Sequence, residues 1–146
     1  MFAVDTNVFV YAANVDGPEH PPCVALVDGW RRQPLPWCTT WGVLYEFMRI
    51  VTHPRVLARP WAPASAWGFV EAILAAPRLQ VLTETSRHPE VFGSLLRTVP
   101  HVSGNLLHDA HTAALMLEHG VSRIYTRDAD FHRFPGLTVL DPLAPQ

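Results

Sequence analysis

The stretch NLLHDAHTAALMLEHGVSRIYTRDAD, residues 105–130, decides the fold. Leu106, Ala110, Ala113 and Leu117 recur at spacings of 4, 3 and 4, which gives a helix over 105–119 one apolar face. Gly120 follows where a helix closes on a left-handed residue. The small side chains of Ala110, Ala113 and Ala114 let this helix lie close to a neighbour. A short strand over 123–126 comes next, with Asp128 and Asp130 directly after it. A helix that returns into a short strand is the repeating unit of an α/β domain with a parallel sheet and right-handed crossovers. Sites in such sheets form beyond the carboxyl ends of the strands, where these acids stand.

The same unit recurs outward from this stretch. An apolar run over 2–4 starts a buried strand and exits into Asp5-Thr6-Asn7. Cys23, Leu26, Val27 and Trp30 mark a helix over 22–32, and 35–39 reads as a second strand. Thr39 and Thr40 are good caps for a helix reaching Val51, which His53-Pro54 ends. A helix over 63–75 has Trp67, Val70 and Leu74 on one side, and a strand over 79–82 follows it. A helix over 89–99 turns Val91, Leu95 and Leu96 inward, and 138–140 is the last strand. The 14 prolines are spread along the chain and mark segment ends.

Composition limits what such a fold can do. A chain of 146 residues makes a single domain over 1–146, and 49% hydrophobic residues supply its core. A net charge of -2 makes any nucleic-acid contact local rather than global. All 11 basic residues are Arg. The lack of Lys argues against P-loop, pyridoxal-phosphate, phosphoaspartate-receiver and haloacid-dehalogenase-type chemistry. Cys23 and Cys38 form no CxxC pair and are expected to be buried, reduced thiols of a cytoplasmic protein. The start Met1-Phe2-Ala3-Val4-Asp5 has no positive region or long apolar run, so no signal peptide is expected. No membrane span is expected either; the run from Trp67 to Ala76 is too short and contains Glu71.

The acids carry the chemistry. Asp5 and the Asp128–Asp130 pair leave the sheet at one edge, and neighbouring strands would face them into one crevice. Each also has a plain structural role open to it, Asp5 as a helix cap and Asp128 in a turn. Glu46 lies on a helix whose stripes Trp41, Leu44, Met48, Val51 and Val43, Phe47, Ile50 leave only a strip of Gly42, Tyr45, Glu46 and Arg49 on one face. That helix is expected to be buried, with Glu46 either paired to Arg49 or facing a cation. Asp109 near a helix start is favoured by the helix dipole. Four carboxylates in one crevice would repel by on the order of 4 kcal/mol per pair at about 4 Å and a dielectric near 20. Such a cluster needs protons or a divalent cation, and all-oxygen ligands select Mg²⁺ or Mn²⁺ over Zn²⁺.

Asp5-Thr6-Asn7, Glu46 on its helix, Asp109 within Asn105–His111, and Thr126-Arg127-Asp128-Ala129-Asp130-Phe131 together resemble PIN-domain ribonucleases, and more narrowly VapC toxins. The stretches WGVLYEFMRIVTHPRV (41–56) and DAHTAALMLEHG (109–120) are closest to that branch, and the likeness covers essentially the whole chain. It implies a three-layer sandwich, a five-stranded parallel sheet flanked by helices. It implies Asp5, Glu46, Asp109 and Asp128 as the catalytic acids, with Asp5 and Asp109 as direct ligands of Mg²⁺ or Mn²⁺. Thr6, Asn7 and Thr126 would orient water or carboxylates, and Asp130 would be a further ligand or supporting acid. The resemblance also implies hydrolysis of structured RNA in tRNA or rRNA loops, leaving a 5′-phosphate and a 3′-hydroxyl. It further implies a homodimer and a VapB-type antitoxin partner.

Other readings stay open at this point. His108 and His111 share a helical spacing but complete no zinc motif, and read as rim residues near Asp109. Arg49, Arg55 and Arg59 are candidates for phosphate contact or for ordinary surface ion pairs. A catalytically silent α/β binding module would use the same acids as caps and turns. A phosphatase with Asp5 as nucleophile would want an Asp at position 7, which is Asn, and usually a Lys.

Overall fold

The computed structural model describes residues 1–144. Its elements in order are β1 (Ala3–Val4), α1 (Thr6–Ala13), α2 (His20–Arg32), β2 (Trp37–Thr40), α3 (Trp41–Val51), α4 (Pro63–Leu74), β3 (Leu79–Leu82), α5 (His88–Thr98), α6 (Leu106–Glu118), β4 (Arg123–Tyr125), a 3₁₀ helix (Ala129–Arg133) and β5 (Thr138–Leu140). The sheet has five strands in the order β3-β2-β1-β4-β5. Every pairing is parallel, as the alternation of short strands and helices predicts.

Two cores flank this sheet and make three layers. Val4 and Trp37 point to one face, where Val8, Phe9, Val27, Phe47 and Val70 from α1 to α4 pack. Ala3 and Cys38 point to the other, against Leu95 of α5 and Ala110, Ala113 and Ala114 of α6. The alanine face of α6 is fully buried, as its spacing requires. Gly120 adopts φ 67° after the last turn of α6, a left-handed conformation that a side chain would oppose. No helix among the described residues is long and apolar enough to cross a membrane.

Several sequence expectations are corrected. Leu35 is 64% exposed, and β2 begins only at Trp37, because Pro34 and Pro36 break the ladder before it. The helix over Thr6–Ala13 had no periodic signal, since its sequence is apolar nearly all round. α3 is not wholly buried: Val43, Leu44, Phe47 and Val51 face the core, while Trp41 and Tyr45 face outward. On α4 the buried stripe is Ala66, Val70 and Ile73, with Trp67 exposed. On α5 Leu95 is buried and Leu96 is exposed, because the turn of about 100° per residue carries Leu96 off the narrow face that meets the core.

Candidate active site

The central strands bring the acids together. Val4 pairs with Tyr125, so the residues just beyond, Asp5 and Thr126, stand side by side. Asp5 is the N-cap of α1 and accepts from the Thr6 amide at 2.7 Å. Its second oxygen accepts from the Asn7 amide group at 2.7 Å and the Thr126 hydroxyl at 2.6 Å. The Thr126 hydroxyl also accepts from Asn7 Nδ2 at 2.8 Å and from the Asp128 amide at 2.9 Å. A hydroxyl offers one proton and two lone pairs, and here all three are engaged. Asn7 Oδ1 accepts in turn from the Arg127 amide at 3.2 Å. Asp128 caps the 3₁₀ helix and accepts from the Asp130 amide at 2.9 Å. The plain structural roles of Asp5 and Asp128 are therefore real, and both carboxylates still face the crevice.

Helices α3 and α6 complete the walls. The Thr40 hydroxyl caps α3 by accepting from the Val43 amide at 3.1 Å, which sets where Glu46 projects. Glu46 accepts from the Thr6 hydroxyl at 3.0 Å and pairs with Arg49 at 3.3 Å, the ion pair its spacing allowed. Asp109 sits in the first turn of α6. One oxygen each from Asp109, Asp128 and Asp130 lie within 4.8 Å of one another. Asp130, placed outside the core acids from sequence, therefore belongs to the tightest carboxylate group; it also pairs with Arg133 at 3.4 Å.

The electrostatics follow from this crowding. Burial pushes the Asp5 carboxyl up to about 6; Thr126 and the Thr6 amide oppose that, and the charges of Glu46 and Asp128 add to it. Burial pushes Asp109 up to about 7, with Asp128, Asp5, Glu46 and Asp130 all adding repulsion. A pocket that holds protons this tightly has an excess of negative charge. Its donors are all carboxylate oxygens, so the residues fit a small hard cation.

The acids lie between two lobes of one open cleft. The larger, about 370 Å³, is lined by Tyr45, Arg49, His108, His111 and Thr112 as well as by the acids. The smaller, about 260 Å³, adds Val10, Tyr11 and Ile50. Of the three arginines considered from sequence, Arg49 lines the cleft. Arg59 instead pairs with Asp16 at 2.7 Å in a separate groove. Arg55 belongs to the turn after α3, where its amide donates to His53 Nδ1 at 3.1 Å. Gly42, Tyr45, Glu46 and Arg49, the strip that the two apolar stripes of α3 leave, all line this lobe; the sequence set Tyr45 on that face without giving it a part.

Comparison with known proteins places this architecture. The PIN domain family model matches residues 2–137. A VapC ribonuclease of Mycobacterium bovis, Mb2897, is 37% identical over 146 residues, covering 100% of this chain and 98% of its own. Among solved structures, VapBC2 from Rickettsia felis, bound to a DNA fragment from its promoter, superposes with a TM-score of 0.67 at 19% identity, over 95% of this chain and 96% of that one. VapC20 of Mycobacterium tuberculosis, described as a sarcin–ricin loop cleaving toxin, gives 0.65 at 21% identity over 90% of this chain and 93% of its own. Sequence match and shared fold agree along the whole length: this chain belongs to the PIN-domain family, in its VapC ribonuclease branch.

Proposed function

We propose that this protein, one PIN domain over 1–146, is a divalent-cation-dependent endoribonuclease toxin that hydrolyses structured cellular RNA. The observation that carries the reading is the convergence of Asp109, Asp128 and Asp130 at an open cleft that Asp5 and Glu46 also line. Asp5, Glu46, Asp109 and Asp128 are the catalytic acids. Asp5 and Asp109 are direct ligands of Mg²⁺ or Mn²⁺, and the geometry supports Asp128 and Asp130 as further ligands. When bound, the cation supplies an activated water and neutralises charge at the scissile phosphate. The chain's own part is positional. Thr126 and Asn7 fix the Asp5 carboxylate, and Thr6 fixes Glu46. The 3₁₀ helix holds Asp128 and Asp130 at the rim.

The substrates are tRNA or rRNA loops; the name of the VapC20 neighbour supports an RNA of that class. The protein works in the cytoplasm as a homodimer under the control of a VapB-type antitoxin; the VapBC2 assembly supports such a partner. A basic side chain of the antitoxin would satisfy two of the crowded carboxylates at once. The inhibitory peptide is therefore expected to bind wild type more tightly than the Asp5→Asn, Asp109→Asn double variant, as read by calorimetry.

Cleavage of total tRNA and rRNA, resolved on denaturing gels, tests the proposal. Activity should disappear in EDTA and return with Mg²⁺ or Mn²⁺ but not Ca²⁺, whose longer and looser coordination misplaces the attacking water. Cleavage that persists unchanged in excess chelator would overturn the metal mechanism. An acidic pocket that binds Mn²⁺ without cleaving any RNA would leave the silent binding module standing.

A further inference from the structure

The larger lobe of the cleft has walls that cation binding does not explain. Tyr45 is 62% exposed although its helix buries Val43, Leu44 and Phe47 on the opposite side. Tyr45 lines the lobe, and its ring is backed by that of Trp41 at 5.7 Å and an angle of 31°. Arg49 follows one turn later on α3. Its pair with Glu46 is exposed and weak enough to release the guanidinium to another anion.

The opposite wall is polar and held in place. His111 Nε2 pairs with Glu84 at 2.8 Å, which leaves the other ring nitrogen with no partner among the described residues. The His88 and His111 rings meet edge to face at 5.3 Å and 84°. His88 itself stacks on Phe92 at 5.6 Å and is anchored by Nδ1 to Glu118 at 2.5 Å. The Glu118 side chain is shut off from solvent and also accepts twice from Thr85, from its amide and its hydroxyl, each at 2.7 Å. A buried carboxylate so bonded is a rigid anchor. His111 is thus a fixed hydrogen-bonding edge facing an aromatic surface across about 370 Å³.

An aromatic face, a polar edge and a cation in one lobe fit an unpaired nucleobase with its phosphate. We propose that this lobe is a base-binding subsite for single-stranded RNA: the base flanking the cut stacks on Tyr45, its polar edge meets His111, and Arg49 takes a phosphate of the same strand. The assignment rests on the ribonuclease reading above. Glu84 and His88 are positioning residues that act through His111.

The test uses the full chain and short fluorescein-labelled single-stranded RNAs of mixed sequence. Binding is read by anisotropy in Ca²⁺ and cleavage in Mg²⁺. Tyr45→Ala should weaken binding and raise KM by roughly 5- to 100-fold, the effect of losing one base–aromatic stack. Tyr45→Phe, which keeps the ring, should stay close to wild type. With RNAs that differ only at the base beside the mapped cut, His111→Ala should level their relative kcat/KM. Glu84→Gln should move the same ratios in the same direction but less far. A lowered melting temperature with unmoved ratios would mean that His111 is structural and would overturn its part in the subsite. Wild-type cleavage with Tyr45→Ala binding unimpaired overturns the subsite and leaves the ribonuclease reading intact. A wild-type protein that neither binds nor cleaves RNA overturns both. A change in molar mass by light scattering for Tyr45→Ala would assign this face to contact between copies and overturn the subsite.

Discussion

One hydroxyl, that of Thr126, ties the exit of β1 to the exit of β4, and its loss should be felt at both. Thr126 is fully buried and bonds Asp5, Asn7 and the Asp128 amide. Thr126→Val keeps the shape but leaves the Asp128 amide and one Asn7 N–H without their acceptor and takes one donor from Asp5, so a loss of about 2–3 kcal/mol is expected. Thermal denaturation should register it as a fall of several degrees, together with lower kcat; an unchanged melting point would mean that water replaces the hydroxyl. Asp5 gives a prediction of opposite character. Its carboxyl is raised from 3.8 to about 6, so the folded state binds this proton more tightly than the unfolded state does. The stabilisation is complete below the unfolded value and is lost as pH rises through the folded one. Asp109, raised to about 7, extends the window upward. In EDTA, the melting temperature of wild type should therefore fall from pH 5 to pH 8. Asp5 alone accounts for roughly 1–1.5 kcal/mol across that window, about half of its full effect, the other half being lost already below pH 5. Asp5→Asn should flatten that slope and abolish cleavage at every pH. A flat wild-type profile would contradict the crowded, buried carboxylates.

Among the elements, α6 and α3 differ in how far the sequence discloses them. The face of α6 is spelled by small residues at a clean helical spacing, and Gly120 ends it, so both its place and Asp109 are legible. On α3 periodicity sets Tyr45 with Glu46 and Arg49, apart from the apolar stripes, but it cannot tell Trp41 from Val43 and Leu44. Only the neighbouring elements decide which of them is covered. The acids leaving β1 and β4 are legible because a parallel sheet gathers its strand exits at one edge. That Asp130 approaches Asp109 and Asp128 is not, since it depends on the 3₁₀ turn after Asp128. The anchor at the end of α6 also escaped notice, because Glu118, Thr85 and His88 are distant in sequence. Glu118→Ala would leave three donors without their acceptor, and a loss of about 2–4 kcal/mol is expected by urea denaturation. Glu118→Gln, which keeps one acceptor oxygen, should lose less. Equal, negligible losses for both would show that the network is replaceable.

For the molecule as a whole, the acidic cleft makes stability depend on what fills it. A cation that binds only the folded state at about 100 times its dissociation constant adds roughly 2.7 kcal/mol, which is several degrees in a domain of this size. Saturating Mn²⁺ should raise the melting temperature of wild type by that amount and leave the Asp5→Asn, Asp109→Asn double variant unmoved. An equal rise in both would place the ion elsewhere. The sheet order β3-β2-β1-β4-β5 has a consequence in time as well. β1 is central and is translated first, yet its partner β4 arrives near the end, so the Thr126–Asp5 bond closes a span of 121 residues. At about 5–20 residues per second, many seconds of translation pass in which no nascent chain owns a finished acid set. On the proposed function, the chain would therefore gain its RNA-cutting site only once β4 is out and docked beside β1. Ribosome-stalled chains ending before residue 126 should then cleave nothing, whereas the released chain should become active as soon as its last strands dock.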